Sequence, residues 1–269
     1  LLRRQGILIK MKETLVYARL TVTLFIVQGL TIINHVHATN NNAAELFQLC
    51  ATCHGSEGLG KKELNAPSLA GLPEWYLVNQ LKKFREGIRG AKPEDPEGLR
   101  MHPMARTLDT YSLEHNRSNG RWKYTSDREI KSVSKFISNL TPKLPENTLL
   151  EGNHSKGKNI YMSCMGCHGQ NLAGNEAVMA SPLTYIEDWY MLEQLKKFKK
   201  GLRGNEQFDT YDQTSKVYIS AVQATAMRGI LKVSVHSEKR MTDVISYIRF
   251  LAKENATCKA SIDELNVDN

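Results

Sequence analysis

The chain has 269 residues, a hydrophobic content of 41% and a formal charge of +8. This length is enough for one large domain or for two of about 100 residues each. Five cysteines are too few for a disulfide scaffold. Residues 1–38 contain five basic side chains and one acidic side chain, so the remainder has 31 basic against 27 acidic side chains, a charge of +4. This mild excess, without a basic tract or a recognisable motif, gives no support for nucleic acid binding.

The first 38 residues have the layout of a secretory signal peptide. Residues 1–10 precede the first Met, and we interpret them as upstream read-through. Basic residues then precede an apolar run over residues 20–33, and Val36 and Ala38 are small residues at the −3 and −1 positions of a cleavage site after Ala38. An uncleaved membrane anchor is the alternative, although a span takes about 20 apolar residues. The pattern therefore predicts an exported protein.

A five-residue motif occurs twice, as Cys50–His54 and as Cys164–His168. C-x-x-C-H is the attachment site of a c-type haem, in which two thiols add to the porphyrin and the histidine binds the iron. The two intervening residues form one turn that lets both sulfurs reach the same edge of the porphyrin. A structural zinc site, with four ligands converging from both pairs, is the alternative. We predict two covalently bound haem c groups, with Cys50, Cys53, Cys164 and Cys167 as attachment sites and His54 and His168 as iron ligands.

The motif is part of a longer internal repeat. A shift of 114 positions places residues 50–90 on residues 164–204 without a gap, and 17 of the 41 positions are identical. Such a repeat predicts a duplicated module with one haem in each copy. We expect a first domain at 39–141, a linker at 142–153, a second domain at 154–255 and a C-terminal tail at 256–269.

Hydrophobic periodicity predicts helices in both modules. Leu77, Leu81 and Phe84 recur at helical spacing, the second module repeats the pattern, and each module closes with a further apolar stripe of this kind. Ser126 followed by Glu129 predicts a capping box at the start of the last helix of module one. Because no alternating strand pattern competes, we predict an all-α fold made of two small bundles.

Three further features are open to more than one interpretation. The polar run Tyr111–Tyr124 is either an ordinary inserted surface loop or a docking element. Cys258 is either an unpaired thiol or an iron ligand. Basic residues of the repeated helices form either faces that steer acidic redox partners or the solvated sides of the helices. These residues are Lys82, Lys83, Arg85, Arg89, Lys196, Lys197, Lys199, Lys200 and Arg203.

A haem with one histidine ligand needs a second ligand on its other face, or leaves that position open. Methionine is the expected partner in electron-transfer cytochromes. We expect it well downstream, on a loop before the last helix of the module. Module one offers Met101 and Met104, and module two offers Met227. His102 and His236 are alternatives, although we favour a surface or loop position for both.

The order of these features resembles the dihaem cytochrome c4 family over most of residues 43–252. C-x-x-C-H is followed by Pro-x-Leu-Ala-Gly (Pro67–Gly71), by a helix that begins Trp-Tyr-Leu and continues to Gln-Leu (Trp75–Leu81), by a Met segment and by a last helix. The resemblance implies two class I cytochrome c folds related by a pseudo-twofold axis, with the haems facing across the interface.

The resemblance also implies particular ligands. In the family the first Met lies seven residues before a Leu, as Met101 lies before Leu108, which favours Met101 over Met104. The second Met begins a Met-Arg-Gly triplet, as Met227 does. The carbonyl of Pro67 would receive the N–H of the proximal histidine. In module two the proline is displaced to Pro182, which leaves its role there open.

The function implied by the family is electron transfer between periplasmic or membrane-bound redox partners, with no small-molecule substrate. One alternative is a dihaem enzyme, similar to thiosulfate dehydrogenase or to a peroxidase, with one displaceable iron ligand. Another is a cytochrome subunit of a larger oxidase or dehydrogenase complex, which uses the same chemistry. Cys258 keeps the enzyme alternative open, because a Cys-ligated haem occurs in some such enzymes.

Overall fold

The computed structural model describes residues 43–116, 121–149, 152–204 and 216–267. The predicted export segment and the side chain of Cys258 lie outside this description. The chain divides after Glu45 into an N-terminal unit, Leu1–Glu45, and a second unit, Leu46–Asn269, which contains both C-x-x-C-H motifs. Within the described ranges, none of the helices combines the length and apolar character that a bilayer span requires.

Helices make up almost all of the regular structure in the described residues, as predicted. In chain order they are α1 (residues 43–54), α2 (Glu74–Arg85), α3 (Pro96–Arg106), α4 (Arg128–Ser138), α5 (His154–Tyr161), α6 (Met165–His168), α7 (Asp188–Lys200), α8 (Lys216–Ser234) and α9 (Glu238–Val267). The other described elements are two 3-10 helices, Lys62–Leu64 and Thr110–Ser112, and two strands, β1 (Leu113–Asn116) and β2 (Arg121–Tyr124).

The first helix of each module packs against the last, and this crossing positions the C-x-x-C-H motif. In module one the rings of Phe47 and Phe136 lie 5.3 Å apart, and in module two those of Tyr161 and Tyr247 lie 5.6 Å apart. Helices α5 and α9 approach closely at Gly157, because a Cβ there would overlap the backbone of α9. Each motif directly follows a crossing, in α1 and after α5, so its position is fixed by packing.

The last helix of module one is capped differently from the prediction. Instead of a box between Ser126 and Glu129, the fully buried carboxylate of Asp109 accepts the backbone N–H groups of Glu129 and Ile130 at 2.9 and 3.2 Å. The carboxylate of Glu129 in turn accepts the N–H of Asp109 at 2.5 Å. The same Asp109 lies 3.5 Å from the guanidinium of Arg85. This exchange ties the segment after α3 to the start of α4.

The insertion Tyr111–Tyr124 contains an antiparallel hairpin, where no strand was predicted. Leu113 of β1 is opposite Tyr124 of β2. Tyr111 and Trp122 are 57% and 62% exposed, so the insertion lies on the surface as expected. Its base is held to α2, because the guanidinium of Arg85 lies 4.2 Å from the centre of the Tyr124 ring.

The linker packs against module two through two buried charges. The carboxylate of Asp188 accepts the N–H groups of Thr148 and Leu149 at 2.5 and 2.7 Å and the Thr148 hydroxyl at 2.7 Å. The guanidinium of Arg249 donates to the carbonyl of Pro145 at 2.6 Å and to the side chain of Asn147 at 3.2 Å. The described linker residues form neither helix nor strand, and these contacts hold them in place.

Candidate functional site

Each module contains an apolar cavity that gathers the residues predicted to hold a haem. The cavity of module one encloses about 1460 Å³, including its open mouth, and that of module two about 1270 Å³. The first is lined by Cys50, Cys53, His54, Pro67, Met101 and Met104. The second is lined by Cys164, Cys167, His168 and Met227. The structure therefore brings the predicted site residues of each module together.

In module one the proximal histidine is held in one tautomer by the backbone. Nδ1 of His54 lies 2.7 Å from the carbonyl oxygen of Pro67, as the resemblance implied. A carbonyl can only accept, so Nδ1 carries the proton and Nε2 has a free lone pair. Nε2 is buried and has no hydrogen-bond partner among the described residues. Burial lowers the pKa of His54, although the hydrogen bond to Pro67 opposes this shift. A neutral imidazole with a buried, unused lone pair is suited to bind a metal.

Module two reaches the same arrangement without the proline. Nδ1 of His168 lies 2.8 Å from the carbonyl oxygen of Ser181, not of Pro182. Burial lowers the pKa of His168 as well, with a further decrease from the charge of Arg203 and an opposing increase from the bond to Ser181. The repeat offset of 114 could have identified this residue, because it pairs Pro67 with Ser181. A backbone carbonyl is all that the contact requires, so the side chain is free to differ.

The candidate methionines lie on helices and not on loops, which corrects one expectation. Met101 and Met104 are both on α3, three residues apart, and both line the cavity of module one. Residues at this spacing share a helix face. Met227 is on α8 and lines the cavity of module two.

The alternative histidines make other contacts. Nδ1 of His102 lies 2.5 Å from the carbonyl oxygen of Phe84, at the end of α2. The backbone carbonyl of His236 accepts a hydrogen bond from Lys199. Neither histidine is among the residues that line the two cavities.

The cysteines of the two motifs lie in two separate cavities, which does not match a shared zinc site. Cys50 and Cys53 line one cavity, and Cys164 and Cys167 line the other. Burial raises the pKa of the Cys50 thiol to about 11 and also raises the pKa of Cys164.

Two arginines, one buried and one half-buried, lie between the two cavities. The guanidinium of Arg89 donates to the side-chain oxygen of Gln80 at 2.8 Å. It also donates across the modules, to the Tyr190 hydroxyl at 2.8 Å and to the Gln194 side chain at 2.9 Å. Gln80, Tyr190 and Gln194 line both cavities. This arginine therefore forms part of the wall that the two sites share.

Arg203, which is 114 positions further on, makes the reciprocal contacts. Its guanidinium donates to Gln194 at 2.9 Å and crosses to Gln80 and the Tyr76 hydroxyl, both at 3.2 Å. Burial and the nearby charge of Arg89 lower the pKa of Arg203. Both guanidinium groups donate to neutral side-chain oxygens, and an anionic partner would stabilise these cations further. The carboxylates of a haem would supply such a charge, so this wall fits the predicted cofactor.

The prediction that the repeated basic residues form exposed faces is wrong for several of them. Lys83, Arg85 and Arg89 of module one are buried, and so is Lys197 of module two. Lys197 crosses to module one, where it contacts the carboxylates of Asp95 at 2.6 Å and Glu97 at 2.8 Å. The apolar stripe of one helix gives no sign that a second module covers its polar side. The repeat itself was the available signal, because the identical polar residues recur at the interface.

Comparison with known proteins gives consistent matches over both modules. The family model described as cytochrome c matches residues 41–141 and 154–252. Cytochrome c4 of Azotobacter vinelandii is 28% identical over 196 residues, which cover 69% of this chain and 84% of that protein. The thiosulfate dehydrogenase electron acceptor of Thiomonas intermedia (strain K12) is 28% identical over 174 residues, or 58% of this chain and 65% of that protein. The crystal structure of reduced recombinant cytochrome c4 from Pseudomonas stutzeri superposes with a TM-score of 0.53 at 24% identity, covering 77% of this chain and 95% of that one.

Proposed function

The chain belongs to the cytochrome c family, with two tandem domains that each attach one haem c, and we propose that it carries electrons one at a time between periplasmic redox partners. The observation that supports this most directly is that each module surrounds one apolar cavity with a C-x-x-C-H motif and a downstream methionine. We place the domains at 39–141 and 154–255. Residues that lie 114 positions apart make equivalent contacts in the two modules, and this supports an origin by internal duplication.

We propose His/Met ligation at both irons. His54 and Met101 would bind the first iron, and His168 and Met227 the second. A haem iron held in this way exchanges one electron between its ferrous and ferric states. With a histidine and a methionine bound to each iron, no position would be left for a substrate, so the chain would act as a carrier and not as an enzyme.

The chain's own residues set the environment of that exchange. Apolar side chains line both cavities and exclude water, and in such surroundings fixed charges act more strongly than in solvent. The carbonyls of Pro67 and Ser181 hold the histidine rings in place. Arg89 and Arg203 would bind haem carboxylates at the wall between the two sites.

The partners are proposed to be redox proteins. A relative named thiosulfate dehydrogenase electron acceptor supports a dehydrogenase as one donor class. The signal-like segment at 1–38 supports export to the periplasm, where c-type haem is attached. No small-molecule substrate is expected.

The ligand assignments are tested by a redox titration of the purified protein beside Met101→His and Met227→His. Bis-histidine ligation gives a lower potential than His/Met, so each variant lowers one of the two potentials and leaves the other in place. Met104→His is the matched control in module one and leaves both unchanged. If Met104→His lowers a potential and Met101→His does not, the two residues exchange roles.

A second measurement separates the carrier from the enzyme. Carbon monoxide is added to the reduced protein, and the visible spectrum is recorded. Two low-spin haems that do not react support the carrier. A haem that binds the gas has a displaceable ligand and supports the enzyme alternative.

A further inference from the structure

One carboxylate of module two lies against the loop that holds the proximal histidine of module one. Glu187, the residue before α7, is 8% exposed, and its Oε1 accepts the backbone N–H of Ser68 at 2.7 Å. Gly60 leaves room for it, since a Cβ there would lie 2.8 Å from the same oxygen. The second oxygen, Oε2, is buried with no hydrogen-bond partner among the described residues. Burial of an acid with so few contacts is costly, so stability alone does not account for it.

Glu187 accepts its hydrogen bond from the N–H of Ser68. This N–H and the Pro67 carbonyl that holds His54 belong to the same peptide group. At one end of this group the Pro67 carbonyl accepts the Nδ1–H of His54 at 2.7 Å, and at the other end the Ser68 N–H donates to Glu187. Resonance couples the two ends of a peptide group, and hydrogen bonds in a chain polarise one another. A carboxylate at the N–H end therefore makes the carbonyl oxygen a stronger acceptor.

Module two has no such connection. His168 donates to the carbonyl of Ser181, but the next residue is Pro182, which has no N–H to donate. The position equivalent to Glu187 in module one is occupied by Pro73, which has no acidic side chain. The two proximal histidines thus differ in what lies behind their accepting carbonyls.

Building on the proposed function, we propose that Glu187 is a positioning residue that acts through the Pro67–Ser68 peptide on His54 and lowers the reduction potential of the haem in module one. A stronger acceptor makes the imidazole more basic, and a more basic ligand stabilises ferric over ferrous iron. A buried negative charge near the haem acts in the same direction, because it favours the more positive oxidation state. The haem of module two lacks the first effect, because the peptide group whose carbonyl holds His168 has no N–H.

The protonation of Glu187 gives this effect a pH dependence. Burial raises the pKa of Glu187 above its ordinary value, although its hydrogen bonds from backbone N–H groups oppose the shift. The charged groups that face it are Arg249 on α9, which lowers the pKa, and Asp188 beside it, which raises it. The effect on His54 grows as Glu187 ionises. The potential of the first haem therefore falls as pH rises through this pKa.

The test is a spectroelectrochemical titration of the dihaem protein across a range of pH, beside Glu187→Gln and Glu187→Ala. The first variant keeps an acceptor oxygen and removes the charge, and the second removes both. We expect the potential of one haem to rise in Glu187→Gln, to rise at least as far in Glu187→Ala, and to lose its pH dependence in both. The backbone amide resonances of Ala66 and Ala180, which lie in the two cavity walls, identify the haem that changes state.

A second readout reports on the peptide group itself. In the reduced, diamagnetic protein, the amide proton of Ser68 shifts upfield in both variants, because its charged acceptor is gone. Glu193→Gln removes an exposed carboxylate from helix α7, which directly follows Glu187, and serves as the control for overall charge. Equal movement of both potentials, or a response no larger than that of Glu193→Gln, would overturn the proposal. A chain without two bound haems would instead refute the proposed function, so the two failures are distinguishable.

Discussion

Replacement of Asp188 by alanine should loosen the linker from module two. The carboxylate of Asp188 is almost fully buried and accepts the hydroxyl and the N–H of Thr148, the N–H of Leu149 and the N–H of Trp189. Burial raises its pKa, but these hydrogen bonds outweigh that effect and hold the pKa below its ordinary value. The folded protein therefore favours the ionised form.

The expected loss follows from these contacts. A hydrogen bond to a charged group contributes about 1.5–3 kcal/mol, and Asp188 accepts four. The linker groups regain water when the carboxylate is removed, so we expect a net loss of about 3–4 kcal/mol in the free energy of unfolding. For a chain of this size, about 2–4 °C is lost per kcal/mol. The melting temperature should fall by about 10 °C.

Thermal unfolding of the ferric protein, followed by circular dichroism, measures this change. Glu193→Ala, on the exposed side of the same helix, is the control and should stay within about 0.5 kcal/mol of the parent. The contribution of Asp188 is present above its unfolded pKa of about 3.9 and is lost as pH falls through its lower folded pKa. The gap between parent and variant should therefore close only in acid. A loss below about 1 kcal/mol at neutral pH would refute the reasoning.

Two further predictions concern packing and a buried ion pair. Gly157→Ala should destabilise the protein by about 1–3 kcal/mol, because the new Cβ would overlap the carbonyl of Asp243. The control is Gly229→Ala, which has open space around its Cβ and should be neutral or stabilising. Lys197→Met should cost about 3–5 kcal/mol in denaturant unfolding, because it leaves two carboxylates of module one without their cation. Lys196→Met, at the neighbouring partly exposed pair, should cost less than about 1 kcal/mol. Equal losses in the two lysine variants would contradict the buried cross-module contact.

The parts of the site that were predictable are those set by local spacing. Covalent attachment requires two thiols and a histidine within five residues, so Cys50–His54 and Cys164–His168 could be recognised without any structure. The apolar stripe of α2 follows from a helical period, and its buried residues include Leu77 and Phe84 as expected. These features depend on chemistry within one turn or one helix.

The remaining features depend on contacts between distant residues. The cap of α4 comes from Asp109, which lies 20 positions before Glu129. The helix pattern placed Arg89 and Arg203 on exposed faces, because it cannot show that another module covers them. Glu187 is the clearest case. Its partner Ser68 lies 119 positions away, and only packing brings them together.

The intact mass of the polypeptide, purified from a host that exports it and attaches haem, tests the central claim most directly. The account predicts a mass with two covalently retained porphyrins that survive denaturation. Cys50→Ala combined with Cys53→Ala should remove one of them, and the same change at Cys164 and Cys167 should remove the other. A native chain that carries fewer than two would contradict the account.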